Sequence, residues 1–516
     1  MLHPSLMTVE LALAVGLLTY ITAVLLYNWL FHPLRTYPGP FLWGITCIPW
    51  ILSTRSGYIH LKLVELHSHY GGVVRVKPGY LSFTDVRAYQ DIYLRQPKAK
   101  YAFSKEPQFY FPSPNGAYFL GGPDRDCHAH FRHLISRAFS EGAVYDQESA
   151  LRSHANTMLR LLKYKQGSAV NLGTYMSRFA FDVFGVVGFG KSFNTLQSSE
   201  NRGFVDHLFS LTKYRTLAMS LGDFPLLQSL LLFILPCDAI AKSRLLWSFT
   251  CERVHERLNA RNENKKDILS FLEGDSNRPG LSLPDLEANG LALMFAGAET
   301  TAALLSAALT YLVKDFSRLQ LLQREVDCHF DCIESISLRA CSQLPYLNAV
   351  LEECLRLAPP VPIDLPRVVP EGGAPVCGRI LPEDTIVGVS IFAASRDSRN
   401  FHHPTKFLPE RWLNHNDFER LFEDLIGQEP QLAIDYEACV SKDCHSASQP
   451  FSLGQRGCIG QTMAWAEMRY ALAVLIFEFN FEFAPGHEEI EWAAQRQYMT
   501  WEREPLMMKL CERQSS

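Results

Sequence analysis

The sequence predicts a single large domain behind an N-terminal transmembrane helix, and three observations lead there. At 516 residues and 47% hydrophobic, the chain can bury a sizeable core. No internal repeat, Gly/Ser-rich linker or long charge run divides it. From Leu11 to Phe31 it carries no charged side chain and is dominated by Leu, Ala, Val and aromatic residues, a stretch long enough to span a bilayer. The resulting boundaries are an anchor over 1–31, a hinge over 32–40 and one body over 41–516.

The anchor ends with Tyr27 and Trp29, residue types that favour the membrane interface. A cleaved leader would need a basic start and a small-x-small cleavage site, and neither is present. Glu10 precedes the span and Arg35 follows it, so the positive-inside tendency puts the body on the cytoplasmic side. Prolines 33, 38 and 40 then forbid helix continuation and form a stiff elbow. A second apolar region, Leu217 to Leu235, is broken by Asp223 and Pro225. It reads equally as a core helix or as a membrane-dipping lid.

A formal net charge of −5 without a basic block gives no electrostatic footprint for nucleic acid. The thirteen cysteines form no C-x-x-C pair, and their number is odd. Scattered reduced thiols fit a cytosolic face better than a disulfide framework or a zinc ribbon. The absence of any N-x-[ST] sequon agrees.

Ser282-Leu-Pro284-Asp285 has the form of a helix start, with a serine cap, an early proline and an acid in the first turn. No proline interrupts the chain from there to Asp315, which allows a helix of roughly 45 Å. Near its middle stands Ala296-Gly297-Ala298-Glu299-Thr300-Thr301. Small side chains there permit close approach of a neighbouring helix or of something flat, and a hydroxyl beside an acid can hold water and move protons. Leu351 to Leu357 reads as a helix closed by Pro359-Pro360, with Glu353 and Arg356 on one face. His128 and Arg132, four apart, share a face of another helix. The histidines at 128, 130 and 133 lack the spacing and the acid of a metal site.

The most informative segment is Phe451-Ser-Leu-Gly454-Gln-Arg456-Gly-Cys458-Ile-Gly460. It offers one sulfur in a glycine-rich loop with an arginine close by. A thiolate can bind iron axially, glycines admit close approach of backbone to a flat cofactor, and an arginine can meet an anionic propionate.

This F-x-x-G-x-R-x-C-x-G decapeptide resembles the signature of the cytochrome P450 superfamily and matches it at every marked position. The hexapeptide from Ala296 resembles the family's A-G-x-[DE]-T-[TS] element, Glu353–Arg356 its E-x-x-R pair, and Pro409-Glu-Arg411-Trp412 its P-E-R-F element with Trp in place of Phe. The resemblance implies a mainly α fold with a small β-rich region. It implies haem b held by Cys458, a propionate partner in Arg456, packing by Phe451 and the loop glycine Gly454. Glu299 and Thr300 become the proton relay for dioxygen cleavage, and Glu353, Arg356 and Arg411 a buried structural triad behind the haem. His128 and Arg132 stand where many relatives carry W-x-x-x-R, and Arg367 is a further propionate candidate.

The implied activity is insertion of one atom of O2 into a lipophilic organic substrate. The resemblance to filamentous-fungal members, including the proline-rich hinge, implies an endoplasmic reticulum enzyme of terpenoid, polyketide or alkaloid biosynthesis. The chain has no dinucleotide fingerprint and no C-x-x-C cluster, so electrons are expected from NADPH through a separate flavoprotein reductase. Two rivals remain: a haem-thiolate isomerase, dehydratase or peroxide user, and a non-catalytic haem sensor or carrier. Tyr101 to Asn115, the helix face near Ala296, Val361 to Leu365 and Tyr498 to Thr500 match substrate-lining regions of relatives. Asn414 to Pro450 reads as an enlarged, solvated acidic loop.

Overall fold

The computed structural model describes residues 4–94, 102–110, 113–224, 227–228, 237–260, 267–275, 278–426 and 430–513. Helices dominate, accompanied by one five-stranded sheet and several smaller ones. The N-terminal helix Pro4–Leu30 contains an apolar run, Val9–Leu30, with mean hydropathy 2.2, whose side chains are not buried except for Asn28 near its end. At 1.5 Å per residue that run reaches about 33 Å, the thickness of a bilayer core. The helix stops ahead of Pro33, and Pro33–Thr36 forms a single 3-10 turn. Asn28 Nδ2 donates to the Ile45 carbonyl at 2.9 Å, and the buried guanidinium of Arg75 donates to the Asn28 carbonyl.

The five-stranded sheet runs in the order Val73–Lys77, Tyr80–Phe83, Ile386–Val389, Arg367–Val368, Ser104–Lys105. Its central pairing is parallel, Val387 opposite Leu81. At its far edge Lys105 lies directly opposite Arg367, so two cations share one rung.

The helical core is organised by Leu283–Lys314, whose 32 residues span about 48 Å. Ser282 caps it as the sequence predicts, accepting from the Asp285 N–H at 3.4 Å and donating to the Asp285 carboxylate at 2.6 Å. This helix packs along Leu172–Phe189, and a Cβ on Gly297 would meet the Phe184 ring at 2.5 Å. Leu304 and Leu305 meet Leu351 of the helix Pro345–Leu357 and Leu472 of the helix Gln461–Glu478 in one fully buried cluster.

The acidic segment after Asn414 differs from the predicted loop. It forms two helices, His415–Ile426 and Pro430–Lys442, because Phe418, Phe422, Tyr436 and Cys439 recur at helical spacing and are buried. Phe418 and Tyr436 stack with centroids 3.7 Å apart. The start of the apolar region 217–235 ends the helix Arg202–Ser220. Residues 225–226 and 229–236, on which the lid reading rests, lie outside the described residues.

Candidate active site

A cavity lies between the middle of the long helix and the loop that carries Cys458. Ala296, Gly297, Thr300 and Thr301 line one side, and Phe451, Arg456, Cys458 and Gly460 the other. Phe184, Leu293, Val361 and Leu365 make the remaining wall apolar. The Cys458 side chain is exposed to this space, while its N–H donates to the Phe451 carbonyl at 2.8 Å and fixes the loop. Burial pushes the Cys458 thiol up, opposed by the Gly460 N–H and the charge of Arg132, both of which favour the thiolate.

Gly454 does not line the cavity. Its φ is +70°, and a Cβ there would run into the Tyr93 carbonyl oxygen, so the glycine serves the fold of the loop rather than contact with a flat ligand.

Arg132, Arg456, His128 and Lys105 gather at one rim of the cavity. Arg132 donates to the Gly457 carbonyl at 2.7 Å, Arg456 to Gly122 at 2.7 Å and Asp124 at 2.8 Å, and Lys105 to Gly121 at 2.7 Å. These are backbone carbonyls, and among the described residues no carboxylate ion pair offsets the three cations. Burial, with Arg456 and Arg367 adding repulsion, holds the Lys105 ammonium well below its ordinary value. Burial likewise lowers Arg456 to about 10 and His128 to about 3, where neighbouring cations add to the effect. Such a rim fits a ligand that brings carboxylates of its own. A thiol facing an apolar slot with an uncompensated cationic edge is the donor set an iron porphyrin with two propionates requires. Arg367 stands back from the lining, donating to Tyr110 Oη at 2.9 Å and lying over the Tyr93 ring. Lys105 was not read from the sequence; its only signal is the strand register that sets it across from Arg367.

On the opposite side, Thr300 lines the cavity and its hydroxyl donates to the Ala296 carbonyl at 2.8 Å. Glu299 is fully buried and turned away from the cavity, its Oε2 accepting from Arg503 Nη2 at 2.7 Å and its Oε1 without a partner among the described residues. Burial raises its carboxyl to about 7 against the lowering effect of Arg503. Arg503 in turn lines an open cleft with Lys213 and Glu502. The carboxylic acid that does line the cavity is Glu467, nine residues after Cys458 and missed by the motif reading. The Thr301 hydroxyl reaches its Oε2 at 3.4 Å, Oε1 has no partner among the described residues, and burial pushes the group up to about 8.

Behind the Cys458 loop the charged cluster is fully buried. Glu353 Oε1 accepts from Arg356 at 2.7 Å, Arg411 at 3.2 Å and the Leu408 N–H at 2.9 Å. Its Oε2 accepts from Arg356 at 2.8 Å and the Trp412 indole at 2.9 Å. Burial alone would raise this carboxyl, but Arg356 and Arg411 hold it at about 2. Arg411 also pairs with Asp443, whose side chain is wholly buried and whose Oδ1 accepts from the His402 N–H. The three predicted members are thus brought together, and a fourth, Asp443, completes a cluster of two carboxylates and two guanidiniums. Asp443 follows the helix Pro430–Lys442, so the acidic segment supplies a counter-charge to the core.

Comparison with known proteins agrees with this geometry. The Cytochrome P450 family model matches residues 37–509. Cytochrome P450 monooxygenase astJ of Aspergillus oryzae is 33% identical over 489 residues, covering 94% of this chain and 93% of its own. Cytochrome P450 monooxygenase astA of Talaromyces wortmannii is 32% identical over 502 residues, 97% of this chain and 96% of its own. Versicolorin B desaturase stcL of Emericella nidulans is 33% identical over 473 residues, 90% and 91% respectively. With nearly its whole length so matched, the chain belongs to the cytochrome P450 family and is a haem-thiolate monooxygenase that uses iron and O2.

Proposed function

We propose that the enzyme inserts one oxygen atom into a lipophilic substrate of a fungal secondary-metabolite pathway, of terpenoid, polyketide or alkaloid type. The observation that carries this reading is the cavity itself: Cys458 on one side, Thr300 opposite, and an apolar wall of Phe184, Leu293, Val361 and Leu365 between them. When bound, the haem supplies O2 activation and two-electron oxidation. Cys458 would hold the iron through its thiolate. Arg456, Arg132, His128 and Lys105 would hold the propionates, with Arg367 reinforcing the positive field from the next strand. Phe451 packs beside the proximal loop, its ring 6.2 Å from Trp465.

Thr300 and Glu299 move protons. The acid, poised near neutrality and joined through Arg503 to an open cleft, takes protons from solvent, and the Thr300 hydroxyl passes them on through water inside the cavity. Such a relay favours a monooxygenase over a peroxide user, an isomerase or a haem carrier, none of which needs timed proton delivery to O2. Residues 1–31 serve as a single-pass anchor in the endoplasmic reticulum membrane and 32–40 as the hinge. Residues 41–516 form the catalytic body on the cytoplasmic face, fed by an NADPH-dependent flavoprotein reductase on the same membrane.

One relative is named for desaturation, so removal of two hydrogens from substrate is the second outcome this site supports. Membranes containing the enzyme and a reductase, supplied with fungal extracts, distinguish the two by product mass. Thr300→Ala is expected to divert NADPH oxidation to hydrogen peroxide with product lost; unchanged product formation removes Thr300 from the relay.

A further inference from the structure

The segment from Pro360 to Pro366 separates two chambers. Pro360, Val361 and Leu365 face the haem cavity, while Pro362, Ile363 and Pro366 line a second cavity. Trp50, Leu63, Phe109, Met219 and Met499 make the second cavity's surface largely apolar.

Four neutral polar side chains in that wall each carry an unpartnered atom. Thr54, His60, Thr216 and Gln497 are 8%, 0%, 8% and 1% exposed. Thr54 Oγ1, His60 Nδ1, Thr216 Oγ1 and Gln497 Oε1 are buried and have no hydrogen-bond partner among the described residues. Buried polar groups are normally paired, so four unpaired ones around one cavity point to a ligand that pairs them. Asp364, in the same wall, accepts from Tyr80 and Ser82 at 3.0 Å each through Oδ2, while its buried Oδ1 has no partner among the described residues and adds a fifth unpaired acceptor.

The chemistry of the ligand follows from what is unpaired. His60 Nε2 lies 3.1 Å from the Ala493 carbonyl and donates to it, which leaves Nδ1 as a lone-pair acceptor. Gln497 Oε1 is also an acceptor, and the two threonine hydroxyls can turn either way. None of the four is charged. They therefore call for neutral donors on a rigid apolar frame, that is, hydroxyl groups on an aromatic or fused-ring skeleton.

We propose that this chamber recognises a polyhydroxylated, largely aromatic ligand through Thr54, His60, Thr216 and Gln497, and so selects hydroxyl-bearing substrates before they reach the haem. Identifying the ligand with the substrate rests on the monooxygenase reading; the binding site itself does not.

The test uses the full-length holoenzyme in detergent and calorimetric titration with a naphthalenediol and with its dimethyl ether. The diol is expected to bind about ten-fold tighter than the ether. Thr54→Val combined with Thr216→Val is expected to weaken the diol about ten-fold and leave the ether unchanged, whereas the matched Ser pair retains diol binding. The ligand-free Val pair is expected to melt no lower than the parent, because two unpaired buried hydroxyls have been removed. Equal binding of diol and ether, full diol affinity in the Val pair, or a lower melting point of that pair overturns the proposal. A protein that keeps its thiolate-haem carbon monoxide spectrum and oxygenates substrate while failing the diol contrast loses the chamber alone. One that passes the contrast without turnover loses only the monooxygenase reading.

Discussion

Trp412 donates its indole N–H to Glu353 Oε2 at 2.9 Å, adding a neutral donor to a carboxylate that already accepts from two arginines. Where the family signature has Phe, this chain therefore has an extra tie between the P-E-R-W turn and the E-x-x-R helix. Trp412→Phe keeps the aromatic packing against His445 but removes that donor. A hydrogen bond to a charged group is worth roughly 1.5–3 kcal/mol. The variant is expected to bind haem and to melt several degrees lower, as read by loss of the Soret band on heating.

Removing a charge from the same cluster is a different matter. Glu353→Ala or Asp443→Ala strands a buried guanidinium, a change of about 3–5 kcal/mol. Haem-free protein is the expected outcome for both, measured by the ratio of Soret to protein absorbance. Normal holoprotein from Asp443→Ala would remove it from the cluster's charge balance.

Acid should act through Glu353. Its carboxyl is held at about 2 in the folded protein against an ordinary value of 4.5, so its contribution is present above the unfolded value and lost as pH falls through the folded one. That contribution is on the order of 3 kcal/mol. Holoprotein stability should decline from about pH 4.5 downward, followed by Soret absorbance; an unchanged Soret band down to pH 2 would show that Glu353 carries no such contribution.

Glu467 predicts the opposite slope. Burial raises its carboxyl to about 8, so the folded state favours the neutral form, and its contribution falls as pH rises from the unfolded value toward 8. Glu467→Gln removes the titration. The variant should melt close to the parent near pH 5 and above it near pH 8, in paired thermal scans; a gap that does not change with pH would show that Glu467 is ionised throughout.

Gly454→Ala would force an L-residue into φ +70° and drive its Cβ into the Tyr93 carbonyl. The left-handed conformation alone costs about 1–2 kcal/mol, and the clash adds to it. The expected result is a displaced Cys458 loop and loss of the thiolate-type carbon monoxide spectrum.

The parts of this architecture that are legible in sequence are those written in local patterns. The Ser282 cap, the helix bearing Glu353 and Arg356, the apolar anchor and the Cys458 decapeptide each declare themselves within a dozen or so residues. Lys105, Asp443 and Glu467 do not, because each acquires its role from a partner far along the chain: Arg367 across a strand, Arg411 across the core, Thr301 on another helix. The acidic segment shows a further reason. Its charges mask an apolar repeat through Phe418, Phe422, Tyr436 and Cys439 that packs it as helices. Glu299 is a partial case, since the sequence places it beside Thr300 but does not reveal that it turns toward Arg503.

The bonds from Asn28 to Ile45 and from Arg75 to Asn28 join the last turn of the N-terminal helix to the body. That helix is therefore a lever arm rather than a leash. With the proposed anchor seated in a membrane, a body clamped to it in this way would present one face to the lipid, and the helix Ile48–Ser56, which carries exposed Ile48 and Leu52 as well as chamber-lining Trp50 and Thr54, follows closely after the clamp. For a ligand dissolved in lipid, finding the entrance then becomes a search across a plane instead of through a volume.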